Sequence, residues 1–236
     1  MLSNLDIIMF RSALILSMGK ARLSQEPNIA RKAFTLSEVL IALTVVGVVG
    51  AIVIPPVYHN IQDAQNKTAF VSVYSVMDQA TKMIMADNGN SLKGVFTDNN
   101  TMKNKYAQYL NTFKSCNNGQ VAGNCWHKND GSSKQLNGIP ASWTNLPGII
   151  LNGTLVLFWG GNSTCTTLNG TVPYCGLITI DINGFKGPNI IGKDIYYIYI
   201  QENDIKPWGT KGDGYENTCI IASGGWGCAA KVLKGG

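Results

Sequence analysis

Hydrophobic and polar positions fall into three textures along this chain. From Phe34 to Ile54 the residues are apolar or small, interrupted only by three hydroxyls and one acid, Glu38. That run is 21 residues, and at the rise of an α-helix it covers about 30 Å, the thickness of a bilayer's hydrocarbon core. After Pro55-Pro56 the pattern becomes periodic. Phe70, Val73, Tyr74, Met77, Ala80 and Ile84 recur at steps of three and four, while Asp63, Lys67, Asp78 and Lys82 lie elsewhere on the wheel. This predicts an amphipathic helix over 55–88. It continues the apolar run, so a single helix from Phe34 to Ala86 is expected, ending near Asp87-Asn88-Gly89-Asn90. The proline pair can kink it, because proline removes a helix hydrogen bond.

Beyond Ser91 the chain breaks into short runs rich in Gly, Asn, Thr and Tyr. Met102–Phe113 reads as a short helix. Ile149-Ile150-Leu151, then Asn152-Gly153, then Thr154–Trp159 is a hairpin signal, with Asn-Gly supplying the positive φ angles of a type I′ turn. Leu177–Ile180 and Asp194–Ile200 read as two further strands. A mainly antiparallel sheet needs a partner for one face, and the amphipathic half of the long helix needs a cover for its stripe. The expected fold class is therefore α+β, a long N-terminal helix packed on an antiparallel sheet head that spans 89–236.

The chemistry of the chain concentrates where the first texture begins. Arg31-Lys32 is followed by the small Ala33, then Phe34, then Glu38, with Pro55 closing the apolar run. A secretory signal peptide has a shorter apolar region and a small-residue cleavage site after it, whereas Ile54 runs directly into Pro55-Pro56-Val57-Tyr58-His59. Thr35-Leu-Ser-Glu38 also fits a helix capping box, which accounts for Glu38 locally.

The register of basic pair, small residue, Phe, Glu and Pro resembles the N-terminus of type IV prepilins and type II secretion pseudopilins. The resemblance implies a leader over 1–33, cleavage between Ala33 and Phe34 by a prepilin peptidase, and N-methylation of Phe34. It also implies a membrane and assembly helix over 34–54, in which Glu38, fifth in the mature chain, meets the N-terminal ammonium of a neighbouring subunit. The residue before the cut is usually Gly and is Ala33 here. A pilin-like fold and a filament built with copies of itself and other pilins or pseudopilins follow as expectations.

Composition agrees with an anchor and one weakly charged head. Of 236 residues 45% are hydrophobic and 14% charged, with a net charge of +5. All arginines (11, 22 and 31) precede Phe34, and the remainder carries near-balanced Lys and acid. Such a chain lacks the electrostatic footprint of a nucleic-acid binder. Positive charge ahead of the apolar run places the leader in the cytoplasm and the head beyond the inner membrane. Six cysteines suit that exported side. Sequence does not choose among their connectivities; nearest-neighbour pairing is the expectation, Cys116 with Cys125, Cys165 with Cys175, and Cys219 with Cys228. Zinc is the rival reading, but no Cys-x-x-Cys occurs and the histidines are only His59 and His127.

Between the last two strands, Asp181, Asn183 and Asp194 flank glycines. Three hard oxygen donors can gather around Ca²⁺, as in some secretion pseudopilins. They can equally cap a tight turn. No nucleophile and base constellation, Walker loop or dinucleotide fingerprint occurs, so an enzyme is not expected. The alternative to a filament subunit of the main shaft is a scarce subunit at the tip, where Trp126, Trp143, Trp159, Trp208 and Trp226 could offer stacking faces to a ligand.

Overall fold

The structure, a computed structural model, describes residues 35–143 and 146–235, and the side chains of all of these but 55, 56 and 58–60. The leader, Ala33 and Phe34 lie outside the described residues. Helix α1 runs Leu36–Ala86, through Pro55-Pro56 without a break. The chain divides into two compact units at Ile52/Val53, and each is described by itself.

In the first unit, α1 is apolar on every side and its large side chains are exposed, Leu36, Ile41, Leu43 and Val46 among them. A helix that is hydrophobic all round has no protein core of its own to face.

In the second unit, α1 covers a sheet. Phe70, Met77, Ala80 and Ile84 are buried, with Val73 and Tyr74 packed alongside, so the predicted stripe is the contact face. Helix α2 (Asn99–Tyr109) is capped by Asp98, whose carboxylate accepts from the Thr101 N–H at 3.0 Å. It buries Met102 and Tyr106 and ends earlier than the expected Phe113. Leu110 turns extended there (φ −109°, ψ 141°), because the chain must straighten to enter β1 (Lys114–Cys116).

The strands are β2 (Gly148–Ile150), β3 (Leu155–Trp159), β4 (Thr167–Asn169), β5 (Val172–Tyr174), β6 (Gly176–Asp181), β7 (Ile195–Ile200) and β8 (Ile205–Pro207). Six of them form one sheet in the order β1-β2-β3-β6-β7-β8, with every neighbour antiparallel. The β4–β5 hairpin stands apart as a two-stranded insertion. Between β2 and β3, Gly153 takes a positive φ of 79° but Asn152 does not. The turn is therefore not type I′, which needs a positive φ at both central positions.

Alternation along the strands divides the core between the two faces. Val156, Phe158, Ile178, Ile180, Tyr196, Ile198 and Ile200 face α1, where Tyr196 stacks on Phe70 with ring centroids 4.2 Å apart. Leu155, Leu157, Ile195, Tyr197 and Tyr199 face the other way, into a second layer with Trp126, Val121 and Trp208. All six residues of β7 are buried. Loops make this second layer, and disulfides hold them: Cys116–Cys125 ties β1 to the loop carrying Trp126, Cys165–Cys175 spans the foot of the β4–β5 hairpin, and Cys219–Cys228 anchors the loop before helix α3 (Cys228–Leu233). The pairing is nearest-neighbour throughout, and no described cysteine is free.

Candidate functional site

The N-terminal segment is built from two local rules. Thr35 and Glu38 close a capping box: the Thr35 N–H and hydroxyl both donate to Glu38 Oε2, at 2.8 and 2.9 Å, and the Thr35 hydroxyl accepts the Glu38 N–H at 3.2 Å. Two of the helix's unpaired N-terminal groups are thereby satisfied by side chains. Behind the cap, Leu36–Ile54 has a mean hydropathy of 2.5 with none of the segment buried. It is the one described helix long and apolar enough to cross a membrane. Glu38 is its sole formal charge.

The loop between β6 and β7 ties its acidic residues into the chain's own hydrogen bonds. Asp194 is fully buried. Its Oδ1 accepts from the Ile190 N–H at 2.6 Å, and its Oδ2 from the Asn189 N–H at 2.7 Å and from Asn183 Nδ2 at 3.2 Å. Asp181, equally buried, pairs through Oδ2 with His127 Nε2 at 2.8 Å and takes the Asn183 N–H on Oδ1 at 3.2 Å. The structure thus brings Asp181, Asn183 and Asp194 together, but as hydrogen-bond partners of the chain itself. Two amide oxygens, Asn183 Oδ1 and Asn189 Oδ1, are buried without a partner; a hard cation with six to eight oxygen ligands needs carboxylates beside them. Among the described residues no group of three His, Cys, Asp or Glu is placed to hold a metal. In this arrangement both carboxylates are engaged by the chain's own donors, while the two amide oxygens are not.

Burial pushes the Asp181 carboxyl up to about 6; the His127 hydrogen bond opposes that rise and the charge of Asp194 adds to it. Burial also raises Asp194, against the pull of the Ile190 and Asn189 N–H groups. His127 is thus not isolated, as its place in the sequence suggested. Its partner is 54 residues away, and nothing in the local pattern announces the pair.

The tryptophans are mostly structural. Trp126 is fully buried and Trp208 nearly so. Trp208 stacks on Tyr215 at 4.2 Å and on Tyr197 at 4.5 Å, Trp143 lies edge-on to Trp126 and donates to the Tyr197 hydroxyl at 3.1 Å, and Trp226 packs beside Tyr197 and Trp208. Trp126 and Trp208 thus belong to the second core layer, while Trp143, Trp226 and Trp159, the last beside Tyr174 at 5.9 Å, are half-buried.

Among the described residues, a single exposed apolar helix, capped at its start and preceded in sequence by a basic step, fits a single-pass membrane anchor. Residues 29–54 match the family model for the prokaryotic N-terminal methylation motif, the prepilin-type cleavage and methylation signal of type IV pilins and pseudopilins. The match covers the anchor and stops before the head. No curated protein and no solved structure matches the chain.

Proposed function

We propose that this chain is a structural subunit of a type IV pilus or a type II secretion-like filament. Its prepilin peptidase cuts between Ala33 and Phe34 on the cytoplasmic side, and the new amine of Phe34 is methylated. The subunit waits in the inner membrane through 36–54 with its disulfide-bonded head exported. It then polymerises with copies of itself and with other pilins or pseudopilins.

The observation that carries this reading is the methylation motif at 29–54 running into an apolar helix whose one charge is Glu38. A carboxylate inside an apolar helix bundle is costly unless paired, and a neighbour's N-terminal ammonium is the partner that makes it affordable. The two-faced head favours the same assignment: Trp126, Trp208, Tyr197 and Tyr199 are packed as core of its second layer. Glu38→Val removes a charge from an apolar segment, so membrane insertion should be unimpaired while incorporation into filaments is lost. Normal incorporation of that variant would reduce Glu38 to a helix cap.

A further inference from the structure

A cleft of the head opens beside the turn between β2 and β3. Its walls are residues 111–113, which lead into β1, and residues 150–153, and its volume is about 630 Å³, an ordinary size for a small-molecule site. The Phe113 N–H ties the two walls together by donating to the Ile150 carbonyl at 2.8 Å. The Phe113 side chain stays in solvent. It is 85% exposed, more than any other large apolar residue described. The lining is neutral throughout. None of its seven residues is ionisable, and Lys114, next in the chain, directs its ammonium to Asn124 Oδ1 at 3.3 Å. Among the described residues the Asn111 and Asn152 side-chain amides have no hydrogen-bond partner, so each offers two N–H donors and a carbonyl acceptor. Gly153 leaves the rim open, with no atom within 4 Å of where a Cβ would sit.

We propose that this cleft binds a neutral hexose unit of a glycan, one face of the sugar lying on the Phe113 ring and its hydroxyls meeting the Asn111 and Asn152 amides. An aromatic ring presents an electron-rich face, against which the polarised C–H groups of a sugar pack. Amides that both donate and accept match hydroxyls that do the same. Other ligand classes fit these walls less well. A charged ligand would lose hydration and find no counter-charge, and a wholly apolar one would cover the two amides and leave them unpaired. The groove also continues past one sugar ring: a second cavity of about 210 Å³ shares Asn111, Leu151 and Asn152 and reaches Val73 and Val76 of α1. The site belongs to the head and stands independently of the filament reading.

The test is saturation-transfer NMR on the full chain, purified in a detergent without a sugar headgroup. Cellobiose, lactose, maltose and N,N′-diacetylchitobiose serve as neutral probes, and glucuronic acid as the charged one. At least one neutral probe should bind. Phe113→Ala should weaken that probe about fivefold or more, while Phe113→Tyr, which keeps the ring, stays within about twofold of wild type. Asn152→Ala should weaken it about threefold or more, the effect of one lost hydrogen bond. Both side chains are exposed, so these substitutions leave the core intact. Unchanged affinity in either alanine variant, binding of glucuronic acid alone, or no transfer to any neutral probe would overturn the site. Loss of filament incorporation by Phe113→Ala in a protein whose wild type binds no probe would overturn it too, and would make the ring a contact between copies.

Discussion

Replacing Asp194 by alanine probes what closes the β6–β7 loop. The carboxylate holds two backbone N–H groups, of Asn189 and Ile190, and the Asn183 amide. Hydrogen bonds to a charged group contribute about 1.5–3 kcal/mol each, so the two backbone bonds alone reach roughly 3–6 kcal/mol gross. Two effects reduce that figure. Asn189 and Ile190 are half-buried, so water can reach part of the vacated site, and the variant no longer buries a carboxylate that the fold itself disfavours. A net loss of about 3 kcal/mol remains, which for a head of this size lowers Tm by roughly 6–12 °C. Asp194→Asn keeps one carbonyl oxygen but turns an N–H₂ toward the second donor, so it recovers only part of the loss. The assay is thermal unfolding of the protein shortened to begin at Ile61, with disulfides intact, in calcium and in chelator. Occupied carboxylates predict the same Tm in both media and the same drop on substitution. A wild-type Tm that rises in calcium and loses that rise in Asp194→Ala would refute the hydrogen-bonded closure and restore the loop as a cation site.

Two further outcomes follow from the head. Asp181 is raised to about 6 from an ordinary 3.8, so between those values the native state holds a proton the unfolded chain has lost, and stability rises as pH falls; the ceiling is about 3 kcal/mol. The Tm should climb from pH 7.5 to 5 and Asp181→Asn should flatten the slope, whereas a fall in Tm over that window, unchanged in the variant, would contradict the assignment. Converting Cys219 and Cys228 to serine opens a loop with a sequence separation of 9 and should cost about 2–3 kcal/mol in the chain-entropy model; an unchanged denaturation midpoint would show that α3 is held by packing alone.

The elements that sequence pattern made legible are those governed by local periodicity. The stripe from Phe70 to Ile84 faces the sheet because its 3.6-residue repeat leaves no other face to bury. The β6 and β7 strands were visible as apolar runs bounded by glycine and polar residues. What stayed hidden was set by contacts distant in sequence. The second core layer depends on Trp126, Trp208 and Tyr199 meeting across loops without periodicity, and the His127–Asp181 pair has no local signature. The β4–β5 hairpin did carry a signal, Asn169-Gly170 between short apolar residues, but its strands are only three residues long. The turn at Asn152-Gly153 lies where Asn-Gly predicted, while its type follows the strands it joins. At the N-terminus the same residues served two readings: Thr35-x-x-Glu38 forms the capping box that its spacing allows, and the methylation motif spans it.

The most direct test of the central claim is the intact mass of the subunit recovered from purified, sheared filaments of the organism that makes it. The account predicts a chain that begins at Phe34, carries one methyl group on its amine and retains three disulfides. A chain that starts upstream of Phe34, one cut beyond Ile54, or filaments from which this protein is absent would contradict it.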